Sequence, residues 1–206
     1  MTAPQDAAIY LICCDGRAAL IDGGSGRAND KLLRNIAAAG MKPDDIELLL
    51  ITHCHFDHTG GARALRERFG CTVVMHDLDA SYVELGDNEV TAASWYGSRL
   101  EPCIVDRKLA GNEEDIRLGD RVIHAVHIPG HSPGSVAYVT TSAGLKIVFA
   151  QDVHGPLHPA LLSNAADYQA SLQRLIDLDA DVLCEGHYGI FRGKQDIVRF
   201  VRSFMR

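Results

Sequence analysis

The sequence predicts a layered α/β fold, with two β-sheets packed face to face and helices covering the outer sides. Three observations carry this expectation. Each half of the 206-residue chain is rich in strand-like segments and closes on helical ones. Segment 46–51, IELLLI, is almost continuously apolar, as suits a strand covered on both faces. Burying both faces of two sheets then places a sheet against a sheet inside and helices outside. The length favours one domain spanning 1–206, and no internal repeat, low-complexity tract or linker divides it.

The elements follow in order. Segments 7–14 and 18–22 read as strands joined across Asp15-Gly16, a strong hairpin-turn signal. Segment 28–39 carries Leu32, Leu33 and Ile36 at helical spacing and stops at Gly40. After strand 46–51, segment 60–69 reads as a helix with Ala64, Leu65 and Phe69 inward and Gly70 as terminator, and 71–75 as a short strand. Segment 77–103 holds one or two helices and the dipeptide Trp95-Tyr96. Strands are expected at 115–118, 121–128, 136–140, 146–149 and 182–184, and helices at 166–178 and 195–205.

Composition narrows the function classes. The chain is 47% hydrophobic and 23% charged, enough apolar content for a substantial core. A formal charge of −7 without basic runs argues against a nucleic-acid surface. No segment reaches the ~18 apolar residues a membrane-spanning helix needs, and the N-terminal segment reads as a strand and not as a signal peptide. The expectation is a cytoplasmic protein acting on a small molecule, with no membrane and no nucleic-acid partner. Six cysteines, at 13, 14, 54, 71, 103 and 184, form no C-x-x-C pair, so buried reduced thiols are expected, with Cys13-Cys14 filling a strand end.

The densest chemistry is His53-Cys54-His55-Phe56-Asp57-His58, directly after strand 46–51. In extended backbone, residues i and i+2 point the same way, so His53 and His55 converge while Cys54 points elsewhere. Asp57 and His58 fall where the chain turns into the next helix, so their directions diverge from the first pair. Thr59-Gly60-Gly61 is expected to supply permissive backbone for that turn. Four candidate ligands within six residues suit two adjacent metals better than one. Further candidates follow other apolar strands: His131 in IPGHSPGS, Asp152 in VFAQDVHG and His187 in VLCEGHYG. Strand ends feeding ligands into one cleft are what a metal site on a sheet scaffold needs. His76, His124 and His127 read as structural. His154 and His158 lie in the loop after Asp152, and of the two His154 is the better candidate for a place beside the site.

Five motifs in order resemble the metallo-β-lactamase fold superfamily: Asp22 in LIDGGSG, the H-x-H-x-D-H run, His131 in PGHSPGS, Asp152, and His187 in EGHYG. The ligand set is similar to that of the glyoxalase II and acyl homoserine lactone lactonase branches. The resemblance implies an αββα sandwich with the site at one edge. It implies that His53, His55 and His131 bind one metal, that Asp57, His58 and His187 bind a second, and that Asp152 bridges them. Asp22 supports the site without being a ligand. Two divalent ions are implied, zinc foremost, with iron or manganese compatible. Such a pair, roughly 3.5–4 Å apart, would hold a bridging hydroxide for attack on a small ester, thioester or lactone. Asp57 or Asp152 would handle the proton, secondary to their roles as ligands. Trp95, Tyr96, His154 and Tyr188 are the candidate substrate-pocket residues. A phosphodiesterase with the same site and a mononuclear iron oxidoreductase are alternatives, and a catalytically idle metal-binding module is the weakest fit.

Overall fold

In the computed structural model, which describes residue 2 and residues 5–206, the chain opens with a hairpin of β1 (Tyr10–Cys14) and β2 (Arg17–Ile21). Asp15 and Gly16 take φ of +49° and +78°, the left-handed pair that a two-residue turn between right-twisted strands requires. Helix α1 (Asn29–Ala38) buries Leu32 and Ile36. Then come β3 (Ile46–Leu50), α2 (Phe56–Thr59), α3 (Ala62–Phe69), β4 (Thr72–His76), α4 (Asp77–Leu85) and β5 (Arg107–Leu109). Strands β3, β4 and β5 add in parallel to the hairpin, giving the order β1-β2-β3-β4-β5.

The second sheet starts as an antiparallel meander of β6 (Glu113–Leu118), β7 (Arg121–His127), β8 (Val136–Ser142) and β9 (Leu145–Phe149). Helix α5 (Ala165–Asp177) crosses over to β10 (Val182–Cys184), which runs parallel to β9. Strand β11 (Ile190–Arg192) closes the edge and α6 (Lys194–Arg202) follows.

Three apolar layers hold the stack together. Leu32, Leu49, Leu65, Val73 and Met75 pack between the first sheet and α1, α3 and α4. Ile21, Leu50, Val74, Ile123, Tyr138 and Phe149 fill the space between the sheets. Val126, Val148, Leu172, Leu175, Ile197 and Val201 lie between the second sheet and α5 and α6. Successive residues Leu49 and Leu50 enter different layers, which is why β3 is apolar on both faces. Tyr138 is fully buried, and its hydroxyl donates across the sandwich to the Ile51 carbonyl at 2.7 Å. That bond pins the point where β3 ends and the histidine-rich segment begins.

The structure corrects several expectations. Strands β5 and β11 have three residues each, too short to show a period of two. The first strand starts at Tyr10 and not at Ala7. Cys54, Cys71, Cys103 and Cys184 are buried as expected, but Cys13 is exposed and Cys14 only partly covered. They lie at the end of β1, the edge strand of its sheet, where Cys14 packs at the margin of the layer between the sheets.

Candidate metal centre

Every strand that feeds the centre delivers its residues just beyond its last hydrogen-bonded position. Beyond β3 the chain bends at Thr52 and Cys54 and is extended at His55, and it brings His53 and His55 together, with ring centroids 4.5 Å apart and edge to face. Helix α2 starts at Phe56, and its single turn redirects Asp57 and His58. The two glycines behind them do not act through permissive dihedrals. Gly60 has φ of −57° and Gly61 −87°. They are needed because a Cβ on Gly60 would lie 2.7 Å from the Ser25 carbonyl oxygen, and one on Gly61 2.3 Å from that of Gly23. The loop carrying Asp22 is thereby pressed against the start of α3.

His131 arrives from the loop after β7, Asp152 from the loop after β9 with φ of +51°, and His187 from the loop after β10. The ligand-type atoms of His53, His55, His131 and Asp152 lie within 4.8 Å of one another, and so do those of Asp57, His58 and His187. Asp152 stands between the two groups. Its Oδ2 faces His131 Nε2 at 3.3 Å and His53 Nε2 at 3.7 Å, and its Oδ1 faces His58 Nε2 and His187 Nε2, both at 3.2 Å. Asp57 Oδ2 lies 3.1 Å from His187 Nε2 and 3.6 Å from His58 Nε2.

The far sides of the rings are anchored. His131 Nδ1 donates to the Pro156 carbonyl at 2.9 Å. His58 Nδ1 donates to Asp22 Oδ2 at 2.8 Å. The Thr52 hydroxyl gives its hydrogen to the same Asp22 oxygen at 2.8 Å, so at 3.1 Å it accepts from His53 Nδ1. Asp22, fully buried, thus holds the ring of a histidine in each group, directly at His58 and through Thr52 at His53. In consequence the Nε2 lone pairs of His53 and His131 point at the centre. Buried Nε2 atoms of His53, His55, His58 and His131, together with Asp152 Oδ1, find no hydrogen-bond partner among the described residues. Buried polar atoms are rarely left so. Five of them aimed at one region, from nitrogen and carboxylate donors, fit the binding of divalent metal.

Electrostatics separate the two groups. Burial, then the neighbouring histidines, hold His53 and His55 well below the usual histidine pKa, so both are neutral. Burial opposes charge on His58 too, but Asp57, Asp152 and Asp22 outweigh it and raise its pKa well above the usual value. His187, likewise against burial, is pushed up to about 10 by Asp152 and Asp57. The same contacts overcome burial at Asp152 and Asp57 and depress both carboxyls.

The candidate pocket residues divide. His154 stands at the centre's edge, its ring 5.2 Å from that of His187, and its Nδ1 donates to Glu185 Oε1 at 2.9 Å. Tyr188 is 60% exposed and lies against His154 and Phe204. Tyr96 packs on Phe56, and burial followed by the Asp57 carboxylate raises its phenol pKa. Trp95 is exposed and meets His158 edge-on at 5.1 Å, so its segment touches the loop that follows Asp152. A cleft of about 830 Å3 opens from His154 between Leu157, Tyr168, Phe204 and Met205, and neither Trp95 nor Tyr96 lines it. His76, His124 and His127 stand apart: His76 caps α4 and stacks on His127, and His124 pairs with Asp115.

Sequence reasoning missed Glu185 and Asp79. Glu185 is wholly buried and accepts from the His187 and Tyr188 amides at 2.7 and 2.8 Å as well as from His154. A carboxylate set directly between an apolar strand and His187 was the available signal. Asp79, on α4, had none, because its partners are distant in sequence.

Comparison with known proteins agrees with the architecture. Acyl-coenzyme A thioesterase MBLAC2 of Gallus gallus is 31% identical over 227 residues, covering 97% of this chain and 78% of that protein. Hydroxyacylglutathione hydrolase of Anaeromyxobacter dehalogenans is 35% identical over 132 residues, which is 64% of this chain and 41% of that one. The chain spans 56% of the length of another relative, MJ0888 of Methanocaldococcus jannaschii. The subclass B3 metallo-beta-lactamase BJP-1 of Bradyrhizobium japonicum superposes with a TM-score of 0.80 at 23% identity, over 96% of this chain and 84% of that one, a likeness of fold. Residues 3–187 match the Metallo-beta-lactamase superfamily, and with the sandwich described above the chain belongs to that family.

Proposed function

We propose that the protein is a metal-dependent hydrolase of small thioesters, with esters and lactones as related substrates. His53, His55 and His131 would hold one divalent cation and Asp57, His58 and His187 a second, with Asp152 placed to serve both. The observation that carries this reading is Asp152, with one oxygen turned to each group of ligand atoms, amid histidine nitrogens that have no hydrogen-bond partner among the described residues. When bound, two such cations supply Lewis acidity and a water molecule ionised near neutral pH. The remaining work falls to the chain. Asp22 and Thr52 keep His53 and His58 in the tautomers that present Nε2. Glu185 holds the backbone of the His187 loop and the ring of His154, which lines the cleft. Asp57 and Asp152, kept ionised by their histidine neighbours, are placed to pass a proton at the centre. Thioesters come first because relatives at 31% and 35% identity are named for acyl-coenzyme A and hydroxyacylglutathione cleavage.

The test is a parallel panel of thioesters, lactones, β-lactams and phosphodiesters on zinc-, iron- or manganese-loaded protein, with metal content measured. The expected result is two cations per chain and thioester turnover that falls at least about 10³-fold in His55→Ala or Asp152→Ala while the fold persists. Unchanged turnover in either variant removes the proposed centre. A single redox-active iron per chain, with no hydrolysis, points instead to oxidoreduction.

A further inference from the structure

We infer that Asp79 is a positioning residue for the three-histidine half of the centre, an inference that rests on the reading of that centre as cation-binding. Asp79 is fully buried in the first turn of α4 and reaches none of the seven proposed ligands. Its carboxylate instead collects donors from the two loops that carry His53, His55 and His131. Oδ2 accepts from the Cys54 amide at 2.9 Å and from the Ser132 hydroxyl at 2.6 Å. Oδ1 accepts from the Gly134 amide at 2.6 Å.

The placement of these contacts is what matters. Cys54 is the residue between His53 and His55. Its side chain turns into the helix-side core, so its amide is the pivot on which the two imidazoles swing to the other side. Ser132 directly follows His131. Every histidine of this half is therefore one residue from an Asp79 contact, whereas Asp57, His58 and His187 are not. The chain has also made room for the carboxylate. A Cβ at Gly134 would stand 2.7 Å from the Asp79 Cβ and 2.8 Å from its Cγ, so a side chain there would push the aspartate off its donors. Hydrogen bonds from neutral donors to a buried carboxylate are about twice as strong as neutral pairs, and they are directional. One anion thus locks two loops that come from different sheets.

A purely structural aspartate would, on replacement, weaken both halves of the centre alike. A positioning aspartate weakens one. In Asp79→Asn the amide keeps the volume but turns an N–H2 toward N–H or O–H donors. Ser132→Ala removes a single donor and leaves the carboxylate held by Cys54 and Gly134, so it keeps the question open to experiment if Asp79→Asn does not fold. Zn2+ binding would be titrated against a competing chelator, with histidine-ring NMR signals reporting which half fills. In Asp79→Asn the affinity read at His53, His55 and His131 is expected to fall about 10–100-fold, with that at His58 and His187 moving by less than about threefold. Ser132→Ala should show the same asymmetry at smaller size. Equal weakening of both halves, or no change in either variant, overturns the inference. Wild-type protein that binds no cation overturns the reading beneath it instead.

Discussion

Replacing Asp22 by Asn tests how the two halves of the centre are tied together. Asp22 is fully buried with φ of +63°, a conformation that Asn adopts almost as readily, so the backbone pays little. The side chain is where the loss falls. Oδ1 accepts from the Thr52 amide at 2.8 Å, and Oδ2 accepts from both the Thr52 hydroxyl and His58 Nδ1 at 2.8 Å. An amide in the same place offers one oxygen and one N–H2. With the nitrogen at the Oδ2 position it confronts two donors, and flipped it confronts the Thr52 amide. In either orientation at least one buried donor loses its acceptor, at about 1–3 kcal/mol. His58, raised well above its usual pKa partly by Asp22, also loses a charge partner, and breaking a buried pair costs about 3–5 kcal/mol. Because these costs overlap, a total of about 3 kcal/mol is expected, or a fall in Tm of about 6–12 °C for a chain of this size. Urea unfolding of chelator-treated protein, followed by circular dichroism, gives the shift in midpoint at constant slope. A loss below about 0.5 kcal/mol, within the range of ordinary surface substitutions, would refute the account of Asp22 as the shared anchor of His53 and His58.

Two further outcomes follow from the same geometry. Gly61→Ala places a Cβ 2.3 Å from the Gly23 carbonyl oxygen, and separating the Asp22 loop from α3 should cost about 1–3 kcal/mol in a denaturation midpoint; an unchanged midpoint would contradict the packing. In chelator-treated protein, His58 and His187 have raised pKa values, so the stability their charge confers is full below the ordinary histidine value near 6.5 and fades as pH climbs toward about 10. The depressed carboxyls of Asp57 and Asp152 act at the other end, their contribution being lost as pH falls below the ordinary carboxyl range. A Tm that rises between pH 7 and pH 10 in the metal-stripped protein would contradict the assigned charges.

Local pattern determined a good deal. Asp15-Gly16 forms its turn because two left-handed residues are a local demand. Strand β3 is apolar on both faces because each face meets a different layer, and that leaves a mark within six residues. The parity of His53 and His55 is likewise a local expectation, and the structure brings the two rings edge to face 4.5 Å apart. Only the tertiary structure decided the rest. The turn of α2 and the loops after β7, β9 and β10 set how the seven side chains meet and how the Asp152 carboxylate divides its oxygens. Packing, not dihedral freedom, explains Gly60 and Gly61. Asp79 and Glu185 act through donors that lie 25 and 53 positions away in the first case and 31 in the second, among others. Periodicity records which face of an element is buried, because burial repeats with the backbone. It holds no record of which distant amide or imidazole a buried carboxylate will meet, since that depends on the stacking of the two sheets.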